Sequence, residues 1–213
     1  MIDLDGTLIH TAPEIAAAAN LMLLDLNLPV LPLKILESYI GAGVQTLLKR
    51  CLTQQLGAEP DAEIFAQSET IFFANYAENA AMSKPYDGVI NGLQTLWSRS
   101  LKLACVTNKT EQFTLPLLKQ AGLADFFDIV VSGDILPKNK PDPIQLYYIC
   151  AKLDVPEYEA ILVGDSATDI ASAQAAGCFI VTVPYGYNQG LPLDISQVDA
   201  TINSLMELES ILI

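Results

Sequence analysis

Short runs of apolar residues bounded by turn formers recur along the second half of the chain, at 103–106, 129–131, 161–163 and 179–183. Each is too short for a helix, and an unbroken apolar run of that length predicts a strand buried on both faces. Between them, residues 111–121, 143–153 and 168–176 have helical patterning. Regular strand–helix alternation predicts a parallel sheet covered by helices on both faces and joined by right-handed crossovers. The stretch 13–84 is different. Residues 14–26, 43–56 and 62–80 pattern as helices, 27–32 holds two prolines and must turn, and nothing there has the look of a buried strand. The expected architecture is therefore α/β: a doubly wound (Rossmann-like) parallel sheet core with an inserted all-helical cap domain. The core would comprise residues 1–12 and 85–213, and the cap residues 13–84. The cap would lie over the carboxyl edge of the sheet, where open α/β sheets bind ligands.

Composition narrows the class. With 213 residues, 51% apolar and 17% charged, the chain can bury a full core, which excludes a disordered tail, a collagen-like rod or a long polar coiled coil. Eleven basic residues against 25 acidic leave a net charge of −14. Such a surface repels a phosphate backbone, and no basic cluster offsets it, so no nucleic-acid partner is expected. The four cysteines, Cys51, Cys105, Cys150 and Cys178, form no CxxC or Cys/His set and read as buried free thiols of a reducing compartment. The first basic residue is Lys34, and the apolar region 15–33 is broken by Asn20, Asp25, Asn27, Pro29 and Pro32. That pattern suits neither a signal peptide nor a membrane span, and a cytoplasmic protein is expected.

Candidate chemistry collects at the strand ends. The chain opens Met1-Ile2-Asp3-Leu4-Asp5-Gly6, with two carboxylates two residues apart that point the same way out of the pleat. Such a pair can divide labour between attack and proton transfer; it can equally be a strand followed by an ordinary Asp-Gly turn. Gly164-Asp165-Ser166-Ala167-Thr168-Asp169 follows a later strand, with its two acids one helical turn apart. Hard oxygen ligands there suit Mg²⁺, while the plainer alternative is a helix cap with an exposed acid in the first turn. Thr107 and Asn108 offer a hydroxyl and an amide to an anion, and Lys140 brings a positive charge to a further strand end.

Taken together, Asp3-Leu4-Asp5-Gly6-Thr7-Leu8, Val106-Thr107-Asn108, Lys140-Pro141-Asp142-Pro143 and Gly164–Asp169 resemble the four motifs of the haloacid dehalogenase superfamily of phosphohydrolases, in order and over essentially the whole chain. Thr107-Asn108-Lys109, Lys140–Pro143 and Tyr185-Gly186-Tyr187-Asn188 with Gly190 look most like its phosphoglycolate phosphatases. The resemblance implies that Asp3 is the nucleophile, forming an aspartyl-phosphate, and Asp5 the general acid and then base. Thr107, Lys140 and the Asn108 backbone would hold the phosphoryl group of a small phosphorylated metabolite. Asp165, the Asp3 side chain and the Asp5 backbone carbonyl would bind Mg²⁺, supported by Asp169. Asp5 itself favours phosphate over halide chemistry, because a halide leaving group needs no proton. A sugar phosphomutase on the same core, or a module that only binds phosphate or metal, are the alternatives.

Three further expectations concern single positions. Gly41 and Gly43, in Tyr39-Ile40-Gly41-Ala42-Gly43, would let backbone approach a small substrate, as in the specificity loops of helical-cap members; an ordinary helix–helix turn reads equally well. His10 is the only histidine and is expected to be structural or at the surface, and most tyrosines and phenylalanines to be core. Only Met1 and Ile2 precede Asp3, fewer than a central strand wants, so a native start further upstream is expected. The chain is expected to act as a monomer or weak homodimer.

Overall fold

The computed structural model describes residues 1–79 and 83–212. The amino-terminal residues lie in the middle of the sheet. Ile2 bridges Cys105 on one side and Val163 on the other, both in parallel. Its N–H donates to the Ala104 carbonyl at 2.8 Å, its own carbonyl accepts from Val106 N at 3.0 Å, and Asp3 N donates to the Val163 carbonyl at 2.9 Å. Apolar Ile2 and Leu4, 2% and 0% exposed, anchor this short segment and so fix where Asp3 emerges.

A two-residue strand, β1 (Ile9–His10), leads into four helices: α1 (Ala12–Asp25), α2 (Leu33–Glu37), α3 (Val44–Leu56) and α4 (Ala62–Asn79). The chain returns through β2 (Lys84–Pro85), which pairs antiparallel with β1. After it come α5 (Val89–Ser98), β3 (Ala104–Val106), α6 (Glu111–Gln120), β4 (Ile129–Val131), α7 (Ile144–Leu153), β5 (Ile161–Gly164), α8 (Ala167–Ala176), β6 (Phe179–Thr182) and β7 (Ala200–Thr201). Pairings are parallel and run β4, β3, the Ile2 segment, β5, β6, β7. Numbered along the chain within this sheet, that is the order 3-2-1-4-5-6, the doubly wound arrangement. Its switch point lies beside the segment that carries Asp3.

Alternation along the strands sends residues to opposite faces. Cys105, Val163 and Val181 pack with α5, α6 and the last turns of the chain, whereas Ala104, Val106, Leu162 and Ile180 pack with α7 and α8. The four helices between β1 and β2 enclose a core of their own, built on Ala18, Met22, Leu36, Leu48, Leu52 and Phe72. Local signals set their ends. Pro13 occupies the first turn of α1, and Gly57 closes α3 in a left-handed conformation. Ser166 and Asp169 form a reciprocal capping box on α8, and Asp169 is buried rather than the exposed first-turn acid of the plainer alternative.

The α/β expectation and its helical insertion match this architecture, and the four strands expected are found as β3 to β6 with bounds within one residue. The last residue expected in the third helix, 80, lies outside the described residues. Four features differ from the expectation. α2 is a short helix that follows the 27–32 turn. α5 is a further helix, on which Val89, Leu93 and Leu96 have the buried spacing of a helix face. The β1–β2 pair joins residues 74 or more positions apart through two-residue strands, which have no period to read. β7 is equally short. Among the described residues, no helix is long and apolar enough to cross a membrane.

Candidate functional site

Four loops following the carboxyl ends of adjacent strands converge beside Asp3. Its carboxylate is buried, and Oδ1 accepts a 2.7 Å hydrogen bond from Lys140 Nζ. The same ammonium donates to Asp169 Oδ1 at 2.7 Å and to the Val106 carbonyl at 3.0 Å, which uses all three of its protons. Burial alone would lower the Lys140 pKa, but the charges of Asp169 and Asp3 hold the group protonated above the ordinary lysine range. Asp3 is shifted the other way from a normal carboxyl. Burial pushes it well up, Lys140 pulls it back, and Asp169 and Asp165 push it up again.

Asp165 is gripped from two sides. Thr7 Oγ1 donates to Oδ1 at 3.0 Å, and the backbone N–H groups of Tyr187 and Asn188 donate to Oδ2 at 2.7 and 3.4 Å. Gly186 makes the second approach possible, since a Cβ there would fall 2.2 Å from the Asp165 side chain. Burial first, and the charge of Asp169 next, raise Asp165 to about 6. Oxygens of Asp3, Asp165 and Asp169 all lie within 4.8 Å of one another. Three buried carboxylates with one ammonium among them leave an excess of negative charge that a small dication would relieve. Their all-oxygen chemistry fits Mg²⁺.

Asp5 faces away from that cluster. Its two oxygens accept from Lys109 Nζ at 3.1 and 3.2 Å, and this ammonium also sits 4.9 Å from the centre of the Tyr76 ring. Thr107 is buried; its Oγ1 accepts from Lys109 N at 3.1 Å, and its carbonyl accepts from Gln145 at 3.2 Å. Gln145, fully buried, also accepts from Lys140 N and so holds two of these loops together. Asn108 Nδ2 donates to the Lys140 carbonyl at 2.9 Å and to the Gly41 carbonyl at 3.2 Å, tying the sheet to the helical segment.

Between the two lies a cavity of about 60 Å³. Asp3, Asp5, Thr107, Asn108 and Lys109 line it from the sheet, and Gly41, Gly43, Leu47, Phe72 and Tyr76 from the helices. The geometry therefore brings all nine residues read from the sequence around one ligand-sized space or the acidic cluster behind it, with the Asp5 side chain held by Lys109. Sequence reasoning missed the Asp5–Lys109 pair, the clasp of Thr7 on Asp165 and the bracing by Gln145, all of which join positions far apart in the chain. Phe72 and Tyr76 are buried in the core of the helices, as expected of most aromatics, and line the cavity as well. His10 is exposed, as expected, with Nδ1 3.2 Å from the Tyr86 hydroxyl and 2.9 Å from that of Tyr187.

Residues 1–183 match the family described as haloacid dehalogenase-like hydrolase. The chain belongs to this family. Among its relatives, the phosphoglycolate phosphatase of Thiobacillus denitrificans is 48% identical over 208 residues, covering 97% of this chain and 92% of that protein. That of Nitrosococcus oceani is 39% identical, covering 100% and 95%. The crystal structure of a "predicted phosphoglycolate phosphatase" from Haemophilus somnus superposes with a TM-score of 0.93 at 33% identity, covering 99% of this chain and 95% of that one. The expected class, a hydrolase of this superfamily akin to enzymes of phosphoric monoesters, stands.

Proposed function

We propose that this haloacid dehalogenase-like enzyme is a Mg²⁺-dependent phosphatase that hydrolyses a small phosphomonoester, 2-phosphoglycolate, to glycolate and phosphate. The observation that carries the reading is the placement of Lys140 Nζ, 2.7 Å from both Asp3 and Asp169, with Asp3 also lining the neighbouring cavity. The substrate is taken from the names of the relatives, and the small cavity is consistent with a two-carbon ester.

In this reading Asp3 attacks phosphorus, the ester P–O bond breaks, and an aspartyl-phosphate forms. Asp5 gives its proton to the leaving oxygen, then takes one from the water that hydrolyses the intermediate. Thr107, Lys140 and the Asn108 backbone hold the phosphoryl oxygens while charge shifts from the ester to the leaving group. Asp3, Asp165, the Asp5 carbonyl and, in support, Asp169 would hold Mg²⁺, which when bound neutralises the approach of an anionic phosphate to an anionic carboxylate. Residues 13–84 would act as the cap, with Gly41 and Gly43 over the substrate and water excluded on closure. Four buried free thiols suit work in the cytoplasm.

The test is phosphate release from 2-phosphoglycolate and from a panel of sugar phosphates, with Mg²⁺ or with chelator, beside an Asp3→Asn control. Metal-dependent release selective for phosphoglycolate and lost in the control is the expected result. Selectivity for a sugar phosphate, or its isomerisation without release, would overturn the substrate, and activity in the control would overturn the mechanism.

A further inference from the structure

Among the described residues lining the cavity, Lys109 is the one cationic side chain, and nothing in the function above uses it. Its side chain is 8% exposed, both oxygens of Asp5 accept from it, and the face of Tyr76 covers it. The wall opposite is apolar, made by Ile15, Ile40, Leu47, Phe72 and Phe113. A substrate with a second anionic group meets only this ammonium, and a neutral polyol meets hydrocarbon. Both protons that Lys109 gives to Asp5 are therefore directed at the cavity that would hold the substrate.

We propose that Lys109 is the residue that determines specificity: it binds a carboxylate on the substrate, and it leaves Asp5 in order to do so. The substrate class is then a short phosphomonoester with a carboxylate next to the ester carbon. This rests on the phosphatase reading and deepens it. On binding, the substrate carboxylate takes the place of the Asp5 oxygens at Lys109 Nζ. An ester lacking the carboxylate leaves the Lys109–Asp5 pair closed and gains nothing from this ammonium.

The experiment compares 2-phosphoglycolate with ethyl phosphate, which replaces the carboxylate by a methyl group, using the full chain with Mg²⁺. The wild-type enzyme is expected to favour phosphoglycolate. Lys109→Met is expected to lower kcat/KM for phosphoglycolate by roughly 10- to 100-fold, the worth of a hydrogen bond to a charged group, and that for ethyl phosphate by less than about threefold. Lys109→Arg should recover part of the preference. Equal losses on both esters would overturn the proposal, because Lys109 would then only position Asp5. Near-equal wild-type rates would overturn it without any variant, even if Lys109→Met failed to fold. Release from no ester at all, p-nitrophenyl phosphate included, would sink the phosphatase reading as well, whereas release without a carboxylate preference sinks this inference alone.

Discussion

Replacing Lys140 with methionine tests whether one ammonium holds the acidic cluster together before any substrate arrives. Its Nζ lies 2.7 Å from Asp3, 2.7 Å from Asp169 and 3.0 Å from the Val106 carbonyl, and the residue is 4% exposed. Removing one partner of such a buried pair costs about 3–5 kcal/mol, because the remaining charge is left without compensation. In a chain of this size each kcal/mol moves Tm by roughly 2–4 °C, so a fall of about 6–20 °C is expected at pH 7 in chelator. The pH dependence is the sharper test. Without Lys140, Asp3 and Asp169 must either stay ionised and unpaired or bind protons that the unfolded chain does not bind. The folded variant therefore gains stability as pH falls, by about 1.4 kcal/mol per pH unit for each such proton. The Tm deficit against wild type should shrink between pH 7 and 5.5, and added Mg²⁺ should recover part of it at pH 7. Calorimetry on both proteins measures this. A deficit under about 2 °C at pH 7, or one that grows on acidification, would refute the account. Phosphate release should fall by about 100-fold or more, since the same ammonium is proposed to meet the phosphoryl oxygens.

Gly186→Ala puts a Cβ 2.2 Å from the Asp165 side chain, so Asp165 must turn or the 184–188 loop must retreat. Metal affinity should drop by about 10- to 100-fold, as for other losses of a ligand's supporting contacts, and an unchanged Mg²⁺ titration would contradict this. Gly43 has φ +86° at the start of α3, a conformation that β-branched residues resist. Gly43→Val should therefore reduce turnover of the preferred substrate far more than that of a small generic ester, and equal losses would argue against a role in specificity. Asp165 rises from 3.8 to about 6 through burial and the charge of Asp169, so the folded chain binds the extra proton between those values. Metal-free stability should accordingly decline as pH rises through that window. Mg²⁺ should then raise Tm more at pH 7 than at pH 5; an equal rise at both would sink the assignment of Asp165 to the metal.

Much of this enzyme was legible without coordinates because its chemistry sits on local signals. Apolar runs such as 161–163 can only be buried strands, the residues just after them are therefore at the sheet edge, and Asp165, Thr107 and Lys140 each follow such a run. The capping of α8 by Ser166 and Asp169 is local too, and so are the turns at Gly43 and Gly57. What the tertiary structure alone decided is the set of contacts between distant segments. Asp5 and Lys109 are 104 positions apart, Thr7 and Asp165 158, and Asp3 and Lys140 137. Nothing in a linear pattern says which acid an ammonium will choose, because the choice follows from how strands are ordered in the sheet and how closely loops approach. Asp3 is anchored by Ile2 between Cys105 and Val163, and only that central position lets four strand ends deliver their side chains to one point. The residue types were set by position along the chain; their charges and reach became a site through the ordering of the sheet.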